Sequence, residues 1–90
     1  MHELGLAQSI FDIVRTHVPE AQAPGVRQVR LRVGDDAGVL VESLEFCFGV
    51  TVAGTPYSAA FLSVETHLAG HAHLALRARL NGVVAMRLAL

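Results

Sequence analysis

The residues with the clearest chemical potential open the chain, as Met1-His2-Glu3. Methionine is normally removed only before a small residue, so we expect Met1 to remain with a free α-amine. That amine, the backbone nitrogen of His2 and the His2 imidazole can close fused chelate rings around one metal ion. The backbone nitrogen or the carboxylate of Glu3 could supply a fourth ligand. Such nitrogen-rich, planar coordination suits Ni(II) and Cu(II) rather than Zn(II), and it requires the amine and imidazole to be unprotonated.

Taken alone, a histidine at position 2 is more often a solvated terminal residue. Three further histidines, His67, His71 and His73, offer a second candidate metal site. Residues two apart on a strand lie about 6–7 Å apart at the backbone, so His71 and His73 could share an ion. Glu65 or His67 would then be the third ligand. The interpretation that the pattern favours is that these are surface histidines of an edge strand.

The other charged residues have ordinary structural interpretations. Glu42 and Glu45 stand in the first turn of a predicted helix, where the helix dipole accounts for both. Arg30 and Arg32 form a small basic row on the outer side of a predicted strand, where solvation is the default and contact with an acidic partner is the alternative. No nucleophile–base pair, phosphate-binding glycine loop or aromatic platform is apparent, so nothing indicates an enzyme.

The segments that must position the terminus show clear periodicity. Residues 3–18 place apolar side chains at helical spacing, which predicts an amphipathic helix that ends at Pro19. Residues 26–33 alternate apolar and polar side chains and predict a strand with one buried face. Residues 41–52 predict a second helix, and residues 62–68 predict another alternating strand.

The C-terminal segment predicts a hairpin, because Asn81-Gly82 is the dipeptide best suited to a two-residue type I′ turn. Strands of about residues 71–80 and 83–90 would flank it. In that register Leu80 faces Val83, and Ala78 faces Ala85. Neither side of the ribbon is cleanly polar, so a second chain could cover it. The order of elements indicates an α+β fold, with two helices packed on one face of a small, mostly antiparallel sheet that ends in a β-hairpin.

Length and composition predict one domain over residues 1–90, since 52% of the residues are hydrophobic and 17% are charged. All positive charges are arginines and the net charge is −1, which gives no general attraction to nucleic acid or to a membrane. Cys47 is the only cysteine, which excludes an internal disulfide and a CxxC zinc site. The start lacks the features of a signal peptide, and no apolar run reaches the roughly 20 residues of a membrane helix, so we expect a cytoplasmic protein.

Three blocks of this sequence resemble the HypA family of hydrogenase and urease nickel metallochaperones. The first is Met-His-Glu followed by Leu-Gly-Leu-Ala-Gln-Ser-Ile, and the second is the segment 29–34, Val-Arg-Leu-Arg-Val-Gly. The third is the segment 38–46, Gly-Val-Leu-Val-Glu-Ser-Leu-Glu-Phe. The similarity covers roughly residues 1–66, and the blocks occur in the order and spacing of the family.

The resemblance implies that nickel is held by Met1, His2 and Glu3. It also implies delivery of Ni(II) for maturation of a nickel enzyme such as a NiFe hydrogenase, together with a partner GTPase and the enzyme precursor. Members of the family carry a zinc lobe with two CxxC pairs between the last two strands. Here the turn at 81–82 takes the place of that lobe, so no structural zinc is expected.

Two other functions stay open at this point. The chain could be an interaction or scaffold module that kept the fold and lost metal delivery, with the apolar hairpin as a dimer or docking surface. It could also be a lobe cut from a longer protein, although Asn81-Gly82 favours a finished hairpin. The sequence does not name the client enzyme or decide between nickel and copper.

Overall fold

The computed structural model describes residues 3–34, 38–67, 73–80 and 82–89. Its helices are α1 (Glu3–His17), a short 3₁₀ helix η1 (Glu20–Gly25) and α2 (Val41–Val52), and its strands are β1 (Gln28–Gly34), β2 (Phe61–His67), β3 (His73–Leu80) and β4 (Val83–Ala89). The predicted helices and strands are thus confirmed in order, and their bounds shift by no more than two residues. Within the described residues no helix is long and apolar enough to cross a membrane.

Both long helices pack on the same core, although α2 also carries apolar side chains on its exposed side. In α1 the residues Ala7, Ile10 and Val14 are buried, as the helical spacing predicts. In α2 the buried face is Leu44, Phe48 and Val52. These side chains meet Val29, Leu31 and Val33 of β1 in one hydrophobic cluster. Cys47 is half-buried and packs against this cluster, as a small apolar side chain does.

The sheet has four strands in the order β2-β1-β4-β3. Strand β1 pairs in parallel with both β2 and β4, and only the β3–β4 pair is antiparallel. The prediction of a mostly antiparallel sheet is therefore wrong, although the α+β class holds. The physical reason is that α2 connects β1 to β2 as a crossover, which returns the chain in the same direction. The hairpin then places its second strand, rather than its first, beside β1.

The sheet has one covered and one open face. Val29, Leu31 and Val33 alternate with outward-pointing residues, as predicted, and Val84 and Met86 of β4 join the buried side. The opposite side, called the outward face below, carries Gln28, Arg30 and Arg32 of β1, Phe61, Ser63 and Glu65 of β2, and Val83 and Ala85 of β4. None of these eight residues is buried, so no described helix covers the outward face.

The C-terminal hairpin is anchored to the rest of the domain at its tip. Leu80 faces Val83 and Ala78 faces Ala85, as predicted, and the register shifts between Leu76 and Ala78. Gly82 has a positive φ of 78°, as the predicted turn requires, while Asn81 lies outside the described residues. The Gly82 carbonyl accepts hydrogen bonds from the backbone nitrogens of Arg27 at 2.8 Å and Gln28 at 3.3 Å.

Candidate metal-binding terminus

The described part of the predicted metal site is its third residue, Glu3, which begins α1. Met1 and His2 lie outside the described residues. The Glu3 side chain is half-buried, and its Oε2 accepts a hydrogen bond of 3.2 Å from the backbone nitrogen of Leu40. The contact joins residues 37 positions apart in sequence. It fixes the start of α1 beside the loop that leads into α2.

Through this contact a side chain of α1 also caps the N-terminus of α2. Leu40 is the N-cap residue of α2, and no side chain of the α2 segment caps that end. A carboxylate near a helix N-terminus is favourable, because it accepts from unpaired backbone N–H groups and complements the helix dipole. Glu3 therefore has a structural task besides any contact with metal, and the carboxylate is oriented toward α2.

Exposed apolar side chains surround this junction. Leu40 is 66% exposed and Leu4, in the first turn of α1, is 40% exposed. On the next turns of α2, Phe46 and Val50 are also largely exposed. Leu4 and Leu40 therefore place exposed apolar surface next to the Glu3–Leu40 contact.

The second candidate site falls mostly outside what the structure describes. His71 is outside it, and only the backbone placement of His67 and His73 is known. His67 ends β2 and His73 begins β3, and these strands occupy opposite edges of the sheet. Three inter-strand spacings separate them, which is about 14 Å. Among the described residues no group of three histidine, cysteine or acidic side chains is placed to hold a metal ion. The site of His67, His71 and His73 stays a prediction.

Two further polar contacts were missed from the sequence. Glu45, attributed above to the helix dipole, accepts a hydrogen bond of 3.1 Å from the backbone nitrogen of Val64. The nitrogen of Phe61 donates to Arg27 on the β1 side, so the nitrogen of Val64 points to the free edge of β2. Glu45 thus covers part of an open sheet edge, which limits edge-to-edge pairing. No local pattern reveals this, because the two residues meet only once α2 packs on β2.

The second missed contact belongs to Tyr57, whose hydroxyl donates to the carbonyl of Val18 at 2.6 Å in a buried position. The Tyr57 ring meets Phe11 edge-on, with ring centroids 5.3 Å apart. The contact satisfies a backbone carbonyl just beyond the end of α1. A lone tyrosine after Gly54-Thr55-Pro56 gave a weak signal, since only its aromatic character suggested burial.

Comparison with known proteins identifies the family. A family model described as "Hydrogenase/urease nickel incorporation, metallochaperone, hypA" matches residues 1–72. Among curated relatives, the hydrogenase maturation factor HypA of Desulfatibacillum aliphaticivorans is 38% identical over 66 residues, 72% of this chain and 51% of the relative. The protein of the same name from Streptomyces avermitilis is 42% identical over 66 residues, 72% of this chain and 50% of the relative. That of Prosthecochloris aestuarii is 40% identical over 68 residues, 76% of this chain and 60% of the relative.

The chain spans between about half and three-fifths of the length of these relatives. The family match ends before β3, so the hairpin lies outside it. No solved structure matches the chain. The family consists of metallochaperones, accessory maturation factors rather than enzymes, and the match gives no support to the scaffold alternative. The resemblance noted in the sequence is confirmed, and the chain belongs to the HypA family of hydrogenase/urease nickel-incorporation metallochaperones.

Proposed function

We propose that this chain binds Ni(II) at its N-terminus and delivers it for maturation of a nickel enzyme such as a NiFe hydrogenase. The observation that carries the proposal is the family match, which begins at Met1 and covers the Met1-His2-Glu3 segment. The relatives named above are hydrogenase maturation factors, which supports a hydrogenase as the client. The delivery partners would be a maturation GTPase and the precursor of the nickel enzyme.

The proposed ligands are the α-amine of Met1, the backbone nitrogen and imidazole of His2, and the backbone nitrogen of Glu3. The Glu3 carboxylate was the other candidate for the fourth position. Its hydrogen bond with Leu40 supports a positioning role instead, because moving Oε2 onto a metal would break that bond and uncap α2. A set rich in nitrogen ligands would also suit Ni(II).

Delivery requires that nickel be released as well as held. Protonation of the imidazole, whose pKa is about 6.5 in model peptides, and of the α-amine, at about 7.7–8.0, competes with the metal. Nickel affinity should therefore fall as the pH drops from 8 toward 6.

The remaining expectations belong to the same proposal. The chain acts as a single domain over residues 1–90, in the cytoplasm, and works without structural zinc. Cys47 is the only thiol in the sequence, and the CxxC pairs of the zinc lobe are absent from it. The hairpin turn at Gly82 closes β3 and β4 directly, with the tip bonded to Arg27 and Gln28.

Calorimetric titration of Ni(II) into untagged protein with its native N-terminus tests the proposal. We expect one tight site that is lost in His2→Ala and in a variant with one extra N-terminal residue. Glu3→Gln is the matched control, because glutamine still accepts from the Leu40 nitrogen but lacks the carboxylate charge. If the Glu3 backbone nitrogen is the ligand, this variant keeps most of the affinity.

The outcomes separate the hypotheses cleanly. Absence of a nickel site, or one indifferent to His2→Ala, would overturn nickel handling at the terminus. Loss of the site in Glu3→Gln, with the fold intact by circular dichroism, would instead assign the fourth position to the carboxylate. Transfer of the bound nickel to a chelator in the presence of the purified GTPase then measures delivery itself.

A further inference from the structure

The outward face of the sheet carries neighbouring positive charges, and Glu65 is the one described carboxylate beside them. Arg30 and Arg32 lie two residues apart on the central strand β1, and both are exposed. The register pairs Arg32 with Arg87 of β4 on one side and with Glu65 of β2 on the other. Of the six acidic residues in the described part of the chain, the five others are in the helical elements: Glu3, Asp12, Glu20, Glu42 and Glu45.

These arginines are poorly compensated. Arg30 makes no ion pair with any residue of the described segments, and its cross-strand neighbours are Ser63 and Ala85, which are small and uncharged. Arg32 reaches Glu65 only at 3.9 Å, with more than half of each side chain exposed. An exposed pair at that distance contributes little, so both guanidinium groups keep their capacity to bind carboxylates.

The same face has an apolar end. Phe61 is 58% exposed. It lies in register with Gln28 and Val83, and Gln28 is two residues before Arg30 on the same face of β1. Large aromatic side chains and arginines are enriched in protein interfaces, whereas lysines are depleted from them. The face therefore offers an apolar contact on β2, followed along β1 by two cations. The spacing of these cations equals that of alternate residues in an extended chain.

The size of the outward face indicates which kind of partner it can bind. The three strands that define this face, about 4.8 Å apart and about six residues long, give roughly 300 Å². A stable interface buries about 800 Å² on each partner, so this face suits a short-lived contact. A second copy stacked by a two-fold axis that passes through Arg30 and Arg32 would bring these cations against their own copies, which is unfavourable. The net charge of −1 also disfavours a nucleic acid.

We propose that the outward face is a docking surface for an acidic segment of a protein partner, whose carboxylates pair with Arg30 and Arg32 while an apolar side chain covers Phe61. This contact lies on the sheet, away from the helical side that carries the nickel terminus. The contact can therefore be tested with metal-free protein.

The test measures binding of a fluorescein-labelled peptide with a Phe-Ser-Glu-Ser-Glu core by fluorescence anisotropy. We expect weak binding at low salt that falls as ionic strength rises. Arg30→Glu should reduce the affinity at least about tenfold, since it replaces an attraction by a repulsion. Arg15→Glu is the matched control, with the same change in net charge, because Arg15 lies in α1 beside Asp12 at 2.9 Å. It should bind the peptide nearly as well as the unchanged protein.

Circular dichroism and the thermal midpoint verify that both variants fold, and Arg30→Gln provides a milder change should Arg30→Glu fail to fold. Equal loss in the Arg15 and Arg30 variants would overturn the proposal, because net charge alone would then explain binding. So would equal binding of a lysine-for-glutamate peptide, or tighter binding of a single-stranded oligonucleotide. A dimer in sedimentation that Arg30→Glu dissociates would assign the face to a second copy instead.

Discussion

Replacing Gly82 by alanine should destabilise the domain more than any other single methyl group added to a described glycine. Gly82 stands at the tip of the C-terminal hairpin with φ of 78°, in the left-handed region. An alanine there costs about 1–2 kcal/mol in backbone strain. A Cβ would also lie 2.5 Å from the carbonyl oxygen of Gly25, which is backbone and has little room to move. The tip must therefore lift away from Gly25.

Lifting the tip weakens the two hydrogen bonds that Gly82 accepts from Arg27 and Gln28. Each contributes about 0.5–1.5 kcal/mol net. Together with the strain, we expect the free energy of unfolding to fall by about 2–5 kcal/mol. For a domain of this size, that corresponds to a decrease of roughly 10–40 °C in the melting temperature.

Urea and thermal denaturation, followed by circular dichroism, give both quantities. Gly49→Ala is the matched control, because Gly49 lies inside α2 with no atom within 4 Å of an added Cβ. Alanine should stabilise this helix position by about 0.5–1 kcal/mol. A Gly82→Ala protein within about 0.5 kcal/mol of the parent would refute the reasoning, since neither strain nor contact would then act at the tip.

Two further substitutions test the contacts that join separate elements. Tyr57→Phe keeps the ring against Phe11 but leaves the buried Val18 carbonyl without its donor. We expect the free energy of unfolding, measured by urea denaturation, to fall by about 1–2 kcal/mol. An unchanged midpoint would show that water replaces the hydroxyl. Glu45→Ala uncovers the Val64 nitrogen at the edge of β2. We expect the free energy of unfolding to fall by about 1 kcal/mol. We also expect concentration-dependent self-association, measured by light scattering. Glu42→Ala, one turn earlier and exposed, is its control and should stay monomeric.

The local elements were predictable because they follow from short-range patterns. The helical spacing of Ile10 and Val14 and the alternation around Leu31 identified α1 and β1, and Asn81-Gly82 fixed the hairpin register. The direction of the strands was predicted wrongly, although the order strand, helix, strand is itself typical of a parallel crossover. The insertion of β4 between β1 and β3 has no local signal, since it depends on how the hairpin docks as a unit.

The candidate site was likewise only partly predictable from the sequence. His2 could be singled out because the chemistry of a terminal amine and an adjacent imidazole needs no tertiary structure. The role of Glu3 could not, since its hydrogen bond with Leu40 depends on α1 and α2 lying side by side. The same holds for Glu45 and Tyr57, whose partners belong to elements distant in sequence.

The position of β4 in the sheet has a consequence for biosynthesis. Strand β1 needs β4 on one side, and Val29 is paired with Val84, about 55 residues later. While the chain is still on the ribosome, β1 therefore presents an unpaired edge until β4 has emerged. Non-local parallel pairings of this kind form slowly and late. Helix α1 and strand β1 are therefore made well before this sheet can close, so the nascent chain is exposed to proteases and to non-native strand pairing until β4 docks.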